Sequence, residues 1–187
     1  MSVLWRRLDV PGHDSCRLYR VADGFRLDGM AAYLEGGAPA QLAYRLSTDA
    51  AWRTTGGLVR GWIGDRRVDL TIVREPDGPW WLNGAVVAGL DRLVDLDFGF
   101  TPATNLPQLK RLALAIGQAA DLPVAWLDPA TGTGALTMLP QRYERRSATA
   151  YWYESPTASY RATLEVLASG FIRRYPDLWE AEAPGEA

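Results

Sequence analysis

Two carboxylates set two residues apart, Asp95 and Asp97 in VDLDFGF, come nearest in this 187-residue chain to acid–base chemistry. On an extended strand, residues i and i+2 share a face and lie ~6.5–7 Å apart. That overlaps the ~6.5–9.5 Å separation of the carboxyl pair in inverting glycosidases. Catalytic pairs more often come from different elements facing across a cleft, so three other readings compete. The pair can be the wet face of a strand, can be held by arginines from a stretch such as RGWIGDRR, or can accept hydrogen bonds from sugar hydroxyls. Other reactive groups are scarce. His13 is the single histidine and Cys16 the single cysteine. They allow no internal disulfide and leave no material for a His/Cys metal site or a histidine-based triad, so neither metal nor cofactor is expected. In PGHDSCR the neighbouring side chains diverge, and the segment reads as a polar turn with Asp14 and Ser15 bonding local backbone. GTGALT lacks the Lys-Ser/Thr and the helix of a phosphate loop.

The elements that must position these groups follow a period of two. In RRVDLTIVRE, Val68, Leu70 and Ile72 point one way and Arg67, Asp69 and Thr71 the other. SYRATLEVLA repeats the pattern, and CRLYRV, FRLDGMAAYLE, LTMLPQRYERR, YWYES and FIRRY also read as strands. Turn residues fall between them at Asp23-Gly24, Gly36-Gly37, Asp77-Gly78-Pro79, Gly132-Thr133-Gly134 and Ser155-Pro156. Asn83-Gly84 is the strongest, a type I′ signal joining WWL to AVV. In VDLDFGF, Val94, Leu96, Phe98 and Phe100 share the face opposite the acids.

One segment departs from alternation. In TNLPQLKRLALAIG, Leu106, Leu109, Leu112 and Ile116 recur at helical spacing, Pro107 suits a first turn, and Thr104 or Asn105 can cap it. LALAIG can also be read as the next strand. The fold class is mainly β: a long, mostly antiparallel sheet that buries its apolar face by curling around a single central α-helix. Residues 1–180 form one domain, and 181–187 a polar tail expected to fray.

Net charge is −2, with acids mixed among the arginines, so neither nucleic acid nor an anionic membrane is an expected partner. No apolar run reaches the ~18 residues of a membrane span, and the expected location is the cytoplasm. Eight tryptophans and eight tyrosines are the unusual feature. Such rings fill a core, or line a site for a ring-shaped or greasy ligand. Adjacent Trp80 and Trp81 must face opposite sides of a strand.

Several phrases carry a family resemblance: WRTTGGLVRGWIGDRRVDLTI, GPWWLNGAVVAGLDRLVDLDFGFTPATNLPQLKRLALAIG, VAWLDP, LPQRYERRSATAYWYES and LEVLASGFIRRYPDLWE. The chain resembles the bacterial glycolipid-binding protein family, formerly a domain of unknown function, over nearly its whole length. FTPATNLPQLKRL is the most specific part. The chain departs from the family pattern in GLDRLVDLD, where no second cysteine precedes the acidic strand. The resemblance implies a spiral β-roll around one helix and a non-catalytic binder of an amphipathic small molecule, a glycolipid or fatty acyl chain. The acyl part would lie between sheet and helix. It supplies no catalytic residues. By position, Arg53, Trp62, Asn83, Asp95, Asp97, Thr104, Asn105 and Tyr143 fall in its characteristic phrases and are the ligand-binding candidates, unless they mark the roll itself. Two alternatives stand beside the binder: a hydrolase of a glycoside or lipid head-group using Asp95 and Asp97, and a homodimeric scaffold with no small ligand.

Overall fold

A computed structural model describes residues 1–131 and 134–185, with the side chains of residues 184 and 185 left out. The long strands come first: β1 (Ser2–Arg7), β2 (Gly12–Val21), β3 (Gly24–Glu35), β4 (Ala38–Asp49), β5 (Thr54–Ile63) and β6 (Arg66–Arg74). A short hairpin follows, β7 (Trp80–Leu82) and β8 (Ala85–Val87), and then β9 (Leu96–Phe98), α1 (Asn105–Leu112), β10 (Ala119–Asp121) and β11 (Val124–Leu127). The last third adds β12 (Leu136–Leu139), β13 (Arg142–Arg145), β14 (Ala150–Ser155), β15 (Tyr160–Val166), β16 (Ile172–Tyr175) and β17 (Trp179–Gly185).

Fourteen strands make one antiparallel sheet, in the order β10-β13-β14-β15-β16-β17-β1-β2-β3-β4-β5-β6-β7-β8. Its end strands, β10 and β8, do not pair, so the sheet is not closed into a barrel. The chain termini meet at its middle, where β1 pairs β17. The tail expected to fray therefore runs as strand through Gly185, because β1 offers it an unpaired edge; Glu186 and Ala187 lie outside the described residues. Three more strands form a second sheet, β12-β11-β9, in which β9 and β11 are parallel.

Alternation reads the large sheet well. On β4, Ala40, Leu42, Tyr44 and Leu46 are buried while the residues between them are not. Trp80 is fully buried and Trp81 lies on the other face, half-buried. The Asn83-Gly84 turn has φ of 49° and 81°, both positive as a type I′ turn requires, and Leu82 pairs Ala85 across it.

Four expectations are corrected. PGHDSCR is not a turn: His13 to Cys16 belong to β2, and Asp14 is fully buried. LTMLPQRYERR is two strands in two sheets, because Pro140 interrupts the ladder between β12 and β13. The helix ends at Ala113, with φ of 45°, and Ile116 lies beyond it, exposed; LALAIG is not a strand. Neither proposed cap acts on the helix, for Thr104 and Asn105 spend their side chains elsewhere. The expected Gly132-Thr133 turn lies outside the described residues.

The segment from Leu93 to Leu109 is the hub. Leu93 and Val94 accept hydrogen bonds from Arg74, Trp80 and the Thr54 N–H. Thr101 joins Asp14 of β2 and Tyr44 of β4, and Asn105 reaches Tyr143 of β13. Every residue from Asp95 to Leu109 except Gly99 is buried. Leu96, Phe98, Phe100 and Leu106 pack with Leu27, Leu42, Leu46 and Ile72 in one core. A Cβ on Gly57 would approach Leu96 to 2.5 Å, which shows how closely β9 lies on β5.

Candidate functional site

The acid pair sits in the hub, and neither member is wet. Asp95 and Asp97 are 1% and 8% exposed. A strand in a parallel pair under a larger sheet is buried on both faces, so its polar positions need internal partners. Asp95 is held by Arg111 of α1, whose Nε donates at 2.9 Å to one carboxylate oxygen and whose Nη2 reaches the other. The partner is thus a helix arginine and not one from RGWIGDRR. Asp97 accepts at 2.6 Å from the Thr104 hydroxyl and at 2.7 Å from Gln141 Nε2. Thr104 in turn accepts the Phe98 N–H. Burial pushes both carboxyl groups above their ordinary range, opposed by Arg111 at Asp95 and by Thr104 and Gln141 at Asp97.

Behind Asp97 the network continues through Tyr143. Its hydroxyl accepts from Asn105 Nδ2 and donates to Gln108 Oε1, each at 2.8 Å. Four tyrosines follow one another: Tyr143 to Tyr153 at 5.0 Å between ring centroids, Tyr153 to Tyr175 at 5.7 Å, and Tyr175 to Tyr160 at 5.3 Å. Burial pushes the phenols of Tyr143, Tyr153 and Tyr175 up, and with Asp177 it takes Tyr160 to about 12, so all four are neutral hydrogen-bonding groups.

The rings of Tyr153, Tyr160 and Tyr175 line a cleft of about 550 Å³, within the ~300–1,000 Å³ typical of small-molecule sites. The second sheet also lines it, through Trp126 and Thr137 to Leu139. Asp97, Thr101 and Asn105 supply polar groups, and Trp179 is a further aromatic member of the lining. Ser155 lies in the wall, 2% exposed, with no hydrogen-bond partner of good geometry for its hydroxyl. Met138 is the large apolar side chain most exposed at the rim, at 55%.

The structure thus gathers Asp97 and Asn105 in the cleft and places Thr104 and Tyr143 directly behind them. Asp95 is close by but turned to Arg111. The other three candidates are elsewhere. Arg53 is exposed at the turn before β5, Trp62 is 41% exposed on β5, and Asn83 bonds the β6 backbone through its own turn. Leu106 of α1 belongs to the same buried cluster as Leu18, Leu27, Leu42, Val59 and Ile72 of β2 to β6, on the side where an acyl chain was expected. Sequence reasoning missed Ser155, Tyr160, Tyr175 and Trp126. Ser155 carried a signal: it continues the inward face of Tyr151 and Tyr153, so a polar residue stands at a core position.

An open fourteen-stranded antiparallel sheet, a three-stranded sheet and one short α-helix, with an aromatic, hydroxyl-rich cleft, make a mainly-β protein. The chain belongs to the family described as "Putative glycolipid-binding", whose model matches residues 2–181. It is similar to the crystal structure of a DUF1089 family protein from Pseudomonas aeruginosa. The two share 26% identity and a TM-score of 0.78, over 89% of this chain and 91% of that one. No curated protein matches. No described helix is long and apolar enough to cross a membrane.

Proposed function

We propose that this protein binds a glycolipid without transforming it, taking the sugar into the tyrosine cleft and leaving the alkyl chain along the rim at Met138, Leu139 and Leu178. The observation that carries the reading is the composition of the cleft: aromatic faces beside a buried carboxylate, an amide and a buried serine hydroxyl. Sugar rings offer both apolar C–H faces for stacking and hydroxyls for such groups. Each methylene covered at the rim adds about 0.8 kcal/mol. The name of the family points the same way.

The architecture that serves this role is a sheet curled around α1. Contacts on the hub from β2, β4 and β13, strands far apart in the sheet order, support it. The absence of turnover is supported by the acids. Both oxygens of Asp95 bond Arg111, and each oxygen of Asp97 accepts a donor on the protein. Titration with n-dodecyl β-maltoside below its micelle concentration, followed by the intrinsic tryptophan fluorescence to which Trp126 and Trp179 of the lining contribute, tests the reading. Saturable binding weakened by Tyr175→Ala is expected; absence of any saturable change would sink it.

A further inference from the structure

The charge of the cleft has a consequence for what can enter it. Its lining contains one charged side chain, the buried carboxylate of Asp97, and no lysine, arginine or histidine. Both donors on Asp97 are fixed in that role. Gln141 Nε2 can only donate, and Thr104 uses its lone pairs for the Phe98 N–H and its proton for Asp97. Burial raises the Asp97 pKa, and these two donors oppose the rise by favouring the ionised carboxylate. Two nearby arginines lie outside the lining and are paired: Arg7, 5.4 Å from the Trp179 ring, with Asp9, and Arg111 with Asp95. Ser155, buried with Tyr153 beside it and no hydrogen bond of good geometry for its hydroxyl, is a neutral group that both donates and accepts.

We propose that the cleft selects a neutral, polyhydroxylated head-group and rejects an anionic one, with Asp97 as the excluding charge and Ser155 Oγ as a specificity-determining contact to a ligand hydroxyl. The inference rests on the cleft being the glycolipid site. An anion placed beside Asp97 would have no counter-charge, and a low-dielectric wall would strengthen the repulsion. A neutral sugar meets no such repulsion, and its hydroxyls can replace bonds to water with bonds to Asp97 and the Ser155 hydroxyl.

The test compares n-octyl β-glucoside with n-octyl β-glucuronide, which share chain and ring and differ by one carboxylate, by calorimetry at pH 7.5. The expected result is at least tenfold tighter binding of the glucoside. Asp97→Asn should bring the two within about threefold. Thr137→Lys puts a cation on an exposed position of the lining without disturbing the buried network, and it should raise glucuronide affinity at least fivefold. Ser155→Ala should weaken the glucoside about tenfold and leave the ratio between the two ligands nearer to one. Equal or tighter binding of the glucuronide by the unmodified protein overturns the charge selection while leaving the glycolipid reading intact. Binding of neither ligand overturns both.

Discussion

Asp14 offers the sharpest test of how the hub is held. It is fully buried in β2, and its carboxylate meets the hydroxyls of Tyr44, at 2.9 Å, and Thr101. Burial raises its pKa from 3.8 to about 7, with Thr101 and Tyr44 opposing the rise. The other titratable groups near this cluster are Tyr44 and Cys16, both pushed up by burial and by Asp14, and Asp28, which acts on Cys16. The native state therefore holds a proton on Asp14 that the unfolded chain releases near pH 4. Stability from this source is complete below pH 3.8 and is lost as pH rises through 7. The shift of about three units corresponds to roughly 4 kcal/mol between those limits. Asp28 has the opposite sign, because its pKa is lowered, and its contribution is lost as pH falls.

Asp14→Asn isolates the effect. Asparagine keeps the shape and can accept from one hydroxyl while donating to the other, since hydroxyls do both. Urea unfolding of both proteins from pH 4 to pH 8 should give a stability difference that moves in favour of the variant by about 2–4 kcal/mol as pH rises. Asp28 and the remaining acids are common to both proteins and cancel. A difference that stays constant from pH 4 to pH 8, at unchanged m-value, would refute a buried, proton-holding Asp14.

Other perturbations follow from the same contacts. Arg111→Ala leaves Asp95 buried without its guanidinium and should cost about 3–5 kcal/mol by urea unfolding. Leu106→Ala opens a cavity at a fully buried position and should cost about 2–5 kcal/mol. Gly61→Ala should lower thermal stability measurably: φ is 151° there, and a Cβ would fall 1.8 Å from the Gln41 carbonyl oxygen, so β4 and β5 would have to separate. Trp62→Ala removes a ring exposed on the outer part of β5 and should change stability by less than about 0.5 kcal/mol and ligand binding not at all.

The large sheet was legible because one face of it is wet. There, period-two alternation separates Val68 and Ile72 from Asp69 and Thr71, and the Asn83-Gly84 turn fixes a register. The hub was not legible because it has no wet face. In β9 the residues Leu96, Asp97 and Phe98 are all buried, so alternation of acid and apolar residues marks two different interiors and not an inside and an outside. The same failure explains Asp14, a buried acid that reads as a turn residue until Tyr44 and Thr101, 30 and 87 positions away, close on it. Pairing at such separations leaves no local trace. Polar residues at inward positions are the remaining signal, and Ser155, Gln141 and Asp14 all share it: each continues an apolar strand face and each is buried. Two of the three bond the hub, and the third faces the cleft. Asp97 is fixed from within by Thr104 and Gln141 while it lines the cleft, so the residue that ties β9 to the start of the helix is also the one charged side chain of the cleft lining.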